Sequence, residues 1–322
     1  MPAEEMTAAQ LSRMRANIPM RAPYTWFLGR PERGVTSQTR RISARDGHQL
    51  KIRVHRPEAD DPLPLLMHFH GGGFVLGHMG VYDPLCTRIA AQARVVVVTV
   101  GYRMAPEHRA PLAAHDCLDA TRWAIEHAAE IGARTDAVGV TGDSAGGNLA
   151  AVVAQTLRDE GFAGLRHQAL VYPAPDLSDR ETDDLQLLAQ RYPVLTPDML
   201  RSFRSLYLGD SDGSDPLVSP ALGTLAGLPP TLIQTAELDP LRSDGEAFAE
   251  AVADIRAGRD PRPPSAFLAA AGGAAAPQLG EARRDERRRR VGRRLLRLGE
   301  RGARPRPGDR GDAAARQLHL GL

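Results

Sequence analysis

Apolar and polar positions change period repeatedly along the chain, and each change marks an element. Over residues 6–20, Leu11, Met14 and Ile18 recur at helical spacing and predict a short helix with one apolar face. "QTRRISA" (38–44) and "QLKIRVHR" (49–56) flank the turn pair Asp46-Gly47 and predict an antiparallel hairpin. "LPLLMHF" (63–69) and "RVVVVTV" (94–100) are nearly continuous apolar runs. Runs of that kind suit strands buried on both faces of a parallel sheet.

Helical periods separate the later strands. "VYDPLCTRIAAQA" precedes the valine run and "PLAAHDCLDATRWAIEHAAEIG" follows it. Strand "AVGVT" leads through a serine turn into helix "SAGGNLAAVVAQTLRDEG", then into strand "HQALVYP". "TPDMLRSFRSLYLG" predicts a helix capped by Thr196. "PTLIQTAE" predicts a further strand and "LRSDGEAFAEAVADIRA" a further helix. Alternating β and α elements with buried parallel strands predict an α/β protein with a mostly parallel, doubly wound sheet.

The pattern stops near Arg256, inside the last predicted helix. From there to residue 322 the chain is arginine, alanine, glycine and proline without a strand signal or an amphipathic period, which reads as low complexity or disorder. Charge divides at the same place. Residues 256–322 hold 17 arginines against 7 acidic residues, a charge of +10, so the preceding 255 residues carry −8 within a total of +2. Length and composition otherwise fit a soluble globular protein, one large α/β domain with a substantial core or two small domains. "MPAEEM" lacks the basic start of a signal peptide, and "VVVVTV" is too short to cross a membrane. Cys86 and Cys117 show neither metal spacing nor a disulfide framework. These features predict a cytoplasmic protein with no cofactor, no metal, no membrane association and no nucleic-acid partner; the oligomeric state is left open.

Two short stretches carry candidate chemistry. In "GVTGDSAGG" a strand enters Gly-Asp-Ser-Ala-Gly and leaves as a helix. That context predicts a strained strand-to-helix turn presenting Ser144 as a nucleophile, with Gly142 and Gly146 avoiding clashes. In "HFHGGGFVLG" three glycines follow a buried strand. Amides of Gly72 and Gly73, joined by that of Ala145, are the expected donors to a tetrahedral oxyanion. His70 is expected to brace this loop by hydrogen bonding.

"HGGGF" followed by "GDSAGG", with "YRMAPEHRAP" (102–111) and "ELDPLRSDGEAFAE" (237–250), resembles the hormone-sensitive-lipase-like branch of the α/β-hydrolases, a family of small bacterial carboxylesterases. The resemblance covers roughly residues 40–255. It implies an α/β-hydrolase core over 36–255, with a helical cap from residues 1–35 and an insertion near 180–208. It also implies a small-molecule ester substrate, with a short acyl or acetyl group transferred through an acyl-enzyme. The triad acid comes after the serine and follows a strand, which selects Asp239 over Asp215; Asp215 follows a Gly/Ser/Asp loop and reads as a turn residue. Ser243-Asp244-Gly245 departs slightly from the family's Asp-Glu-Gly.

The family's histidine, about thirty residues after the acid, has no counterpart here. That region reads "AAAGGAAAPQLG", and the one histidine after Asp239 is His319, in an arginine-rich context. His108 and His115 precede the serine and fall outside the expected order. Three explanations stand. Residues 256–322 are a shifted reading frame of an ordinary family gene, a reading favoured by the lost period and by a single lysine in 322 residues. Alternatively, the chain is a catalytically impaired relative that binds a small molecule, as plant gibberellin receptors of this fold do. The third explanation, a tail for nucleic acid or an acidic partner, lacks interleaved aromatics or a binding motif.

Overall fold

In the computed structural model the described residues are Leu11, Arg15, 29–178 and 195–259. Seven strands form one sheet: β1 (Val35–Ser43), β2 (Gln49–Pro57), β3 (Leu63–Phe69), β4 (Val96–Gly101), β5 (Ala133–Asp143), β6 (Leu165–Val171) and β7 (Thr231–Gln234). Their order is β1-β2-β4-β3-β5-β6-β7. The predicted hairpin is present, with Ile42 opposite Leu50, and β2 is also antiparallel to β4. All other neighbours are parallel.

Five helices follow the predicted sites: α1 (Asp83–Ala93), α2 (Leu112–Glu126), α3 (Ala145–Asp159), α4 (Pro197–Leu208) and α5 (Arg242–Arg256). β4 shows why the sheet needs cover on both faces. Val96, Val98 and Val100 point into the large core shared with α2 and α3, while Val97 packs with Cys86 and Ala90 of α1 on the other face. Both cysteines are buried free thiols. Thr196 caps α4 as expected, its hydroxyl accepting the Met199 amide at 3.2 Å.

Two expectations change. β7 is four residues long, not eight. Pro230 has no amide to donate and contributes only its carbonyl, which accepts the Gln168 amide at 3.0 Å. At the other end β6 leaves the sheet at Tyr172, where φ is +35°. The last helix does not break off midway. It ends in a regular stop in which Gly258 (φ +68°) donates to Ile255 and Arg259 donates to Asp254. Of the N-terminal helix, Leu11 and Arg15 are helical and Leu11 is fully buried, whereas Met14 and Ile18 lie outside the described residues. Of the expected insertion near 180–208, residues 180–194 lie outside them and the rest includes α4, and the tail from 260 onward lies outside them too. No helix among the described residues is long and apolar enough to cross a membrane.

Candidate active site

β5 ends at Asp143 and α3 begins at Ala145, so Ser144 makes the whole turn. Its backbone takes φ 54° and ψ −120°, a strained conformation for a residue with a Cβ. The turn is held from both sides: the Ser144 amide donates to Val171 at 2.8 Å and its carbonyl accepts the Asn148 amide at 3.1 Å. The flanking glycines have no room for a side chain. A Cβ on Gly142 would lie 2.3 Å from the Gly146 carbonyl oxygen, and one on Gly146 would lie 2.0 Å from that of Phe69.

The glycine loop faces this turn. Gly72 (φ +120°) and Gly73 (φ +60°) line one cavity of about 230 Å³ with Ser144 and Ala145. Among the described residues the amides of Gly72, Gly73 and Ala145 have no protein acceptor. Asp143 binds the loop to the turn: its carboxylate accepts the Gly71 amide at 3.0 Å and the Tyr82 hydroxyl at 2.9 Å. Burial pushes the Asp143 carboxyl up, and these two donors oppose the shift. His70 braces the loop as expected. Its Nδ1 lies 2.8 Å from the Gly71 carbonyl, and the Tyr102 hydroxyl donates to the His70 carbonyl at 2.8 Å. Burial lowers the His70 pKa to about 4, so the imidazole is neutral.

The rest of the wall is largely apolar. α4 contributes Leu200 and Phe203, and Leu177 and Leu241 come from neighbouring loops. Phe203 lies so close to the loop that a Cβ on Gly73 would meet its ring at 2.4 Å. Phe74, next in the loop, stacks on Tyr207 of the same helix with centroids 3.9 Å apart.

The structure therefore brings Ser144, Ala145, Gly72 and Gly73 together. Asp239 sits in the loop after β7, where its carboxylate accepts the Leu241 amide at 2.9 Å and burial raises its pKa. Asp239 is not in the cavity wall, but Leu241 and Asp244 are. Asp215 is a turn residue, accepting the Leu217 amide on its side chain and the Val218 and Ser219 amides on its carbonyl. No histidine lines the cavity among the described residues, and His319 lies outside them.

Several supporting residues were not found in the sequence. Asn148 donates to the Ala174 and Val218 carbonyls, both at 2.8 Å, and so ties α3 to two loops. Arg15 Nε donates to the Val75 carbonyl of the glycine loop at 2.7 Å, and the guanidinium also pairs with Glu107. Tyr82 and Tyr102 anchor the loop, Tyr82 through the Gly71 amide 11 positions away and Tyr102 through the His70 carbonyl 32 positions away. For Asp143 the one available signal was adjacency to Ser144.

A glycine loop and a strand-to-helix serine at the carboxyl ends of parallel strands define a site of the α/β-hydrolase class. A family model described as alpha/beta hydrolase fold matches residues 66–260. The chain belongs to that family, in its hormone-sensitive-lipase-like branch. It is 40% identical over 217 residues to an ethyl acetate hydrolase of Pseudomonas putida, a match spanning 65% of this chain and 67% of the relative. It is 42% identical over 212 residues to the carboxylic ester hydrolase LipN of Mycobacterium tuberculosis, spanning 63% of this chain and 56% of the relative. Among solved structures, a hyperthermophilic esterase from the archaeon Pyrobaculum calidifontis matches with a TM-score of 0.69 and 36% identity, covering 76% of this chain and 78% of that one.

Proposed function

We propose that the core of this chain is that of a serine carboxylesterase acting on short-chain acyl esters through an acyl-enzyme. The observation that carries the reading is the single cavity shared by the strained Ser144 and the amides of Gly72, Gly73 and Ala145, which have no acceptor among the described residues. In this reading Ser144 Oγ attacks the ester carbonyl, and the oxygen takes up the displaced electron pair as an oxyanion held by the three amides. Collapse expels the alcohol, and water then releases the acid. Asp239 orients a histidine that takes the Ser144 proton. The names of the relatives, which are ester hydrolases, support this assignment. The α4 residues act as part of a cap that shapes the acyl pocket. The buried free thiols are in keeping with a cytoplasmic location.

The base is what this chain lacks among its described residues. We read residues past the α5 stop as a shifted frame that has replaced the histidine-bearing segment. A second reading, a small-molecule binder without turnover, is favoured by the histidine-free cavity wall.

The deciding experiment is prolonged incubation with p-nitrophenyl butyrate, with and without imidazole, followed by peptide mass spectrometry. The esterase reading expects slow butyrylation of Ser144 that imidazole accelerates and Ser144→Ala abolishes. An adduct elsewhere, or equal acceleration in Ser144→Ala, overturns it. Saturable binding without any adduct favours the binder.

A further inference from the structure

The loop from His70 to Gly77 separates two cavities. Gly72 and Gly73 line the Ser144 cavity, while His70 and Gly77 line a second one of about 260 Å³. The loop is thin because it must be: a Cβ on Gly77 would sit 2.5 Å from His70 Nδ1.

The second cavity has a distinct chemistry. Its polar wall contains His48, Lys51 and His78, and among the described residues no carboxylate lines it. Lys51 is the one lysine in the sequence; every other fixed cation of the side chains is an arginine. It is exposed, and it makes no ion pair among the described residues. His78 Nδ1 accepts the Gly80 amide at 3.1 Å, which leaves Nε2 as the nitrogen that bears a proton and can donate. Met79 and Met104 supply an apolar wall with soft, adaptable side chains.

A lysine and two imidazoles in one cavity wall, with no carboxylate among its described lining residues, favour an anion. One fixed positive charge next to thioethers favours a single negative charge carried on a short apolar chain. We propose that this second cavity is a binding site for a small monocarboxylate. The carboxylate meets Lys51 and the histidine donors, and the alkyl chain lies against Met79 and Met104. The site is independent of what Ser144 does. It places a ligand against the far side of the loop whose near side carries Gly72 and Gly73.

Two reporters locate the ligand. Met79 and Met104 line this cavity, and among the described residues no methionine lines the Ser144 cavity. The full chain, labelled with ¹³C at the methionine methyls and assigned through Met79→Leu and Met104→Leu, is titrated with sodium butyrate against sodium chloride. The expected result is a saturable shift of both methyl resonances, half complete below about 10 mM, as befits a ligand of so few atoms. Butylammonium leaves both resonances in place. Lys51→Met raises the half-saturation about fivefold, the scale of an exposed ion pair, and Lys51→Glu removes saturation. His48→Gln is a second variant on an exposed position and weakens binding in the same direction. The proposal is overturned by an unsaturable drift, by an equal response in Lys51→Met, by an equal response to butylammonium, or by saturable butyrate binding that moves neither methyl.

Discussion

The Asp143 carboxylate accepts the Gly71 amide at 3.0 Å, so the residue before Ser144 holds the loop that carries Gly72 and Gly73. Gly71 permits the approach, since a Cβ there would lie 2.3 Å from Asp143 Oδ2. Asp143→Ala removes the acceptor of the Tyr82 hydroxyl and leaves the Gly71 amide only the Tyr82 oxygen, at 3.1 Å. The expected loss is about 1–3 kcal/mol of stability, read by urea denaturation. Asp143→Asn keeps an acceptor oxygen and should lose less. Equal losses in the two variants would show that the carboxylate does not tie the loop.

Ser144 stores strain in its φ of 54°. Ser144→Gly relieves it and should stabilise the fold by about 1 kcal/mol, whereas Ser144→Ala should be close to neutral. Gly146→Ala should act in the opposite direction, by about 3 kcal/mol, because the oxygen it meets at 2.0 Å belongs to the Phe69 backbone and cannot swing away. Thermal unfolding of the three variants checks the order.

His68 gives a dependence on pH. It is buried on β3 with Nδ1 lacking a partner among the described residues, and burial, then the charges of His70 and His55, lower its pKa to about 3. The unfolded chain binds a proton below the ordinary histidine value of 6.5, and the folded chain does so only near 3. Stability is therefore lost as pH falls from 6.5 toward 3, by up to about 1.4 kcal/mol per pH unit for this residue. His68→Leu should flatten the fall between pH 6.5 and 4 relative to the parent chain. Parallel curves would refute the assignment.

Much of this was legible because the local signals were strong. Seven strands and five helices followed the hydrophobic period, the Thr196 cap followed its Thr-Pro-Asp context, and the motif order placed Ser144 opposite the glycine loop. What stayed hidden depends on pairings between distant residues. Tyr82 reaches Asp143 across 61 positions and Arg15 reaches Val75 across 60, and no period or spacing encodes such a meeting. The end of α5 was misjudged because its stop is made by Gly258 and Arg259 amides on backbone carbonyls, a device whose only sequence trace is one glycine.

That stop sharpens the frame reading. The helix stop is completed through the Arg259 amide, so on the proposed frame reading the shift would fall at or after Gly258. A one-base correction just past codon 258 should restore a histidine-bearing segment and with it p-nitrophenyl butyrate hydrolysis. The expected gain is about a thousandfold or more over the chain as given, the scale on which a triad base matters. In that corrected chain Ser144→Ala should abolish the gain. A corrected chain that remains inactive would argue for the binding reading instead.

β7 is the edge strand of the described sheet, and Leu232 on it is 56% exposed. An apolar side chain on an open edge invites pairing with another chain. Leu232→Lys should therefore reduce concentration-dependent light scattering without lowering the melting temperature. Unchanged scattering would place the sticky surface elsewhere.

The glycines around Ser144 set how freely this stretch can drift. Any single-base change that converts a glycine codon to another amino acid adds a Cβ. At Gly71, Gly142 and Gly146 that atom would meet another atom at 2.3 Å or less, before the rest of the side chain is considered. A gene passing through such changes crosses a destabilised protein at every step, whatever residue it is heading for. The stretch from Gly142 to Gly146 is thus isolated in sequence space by the distance between two backbones, and it would stay recognisable even in a lineage that had stopped using the serine.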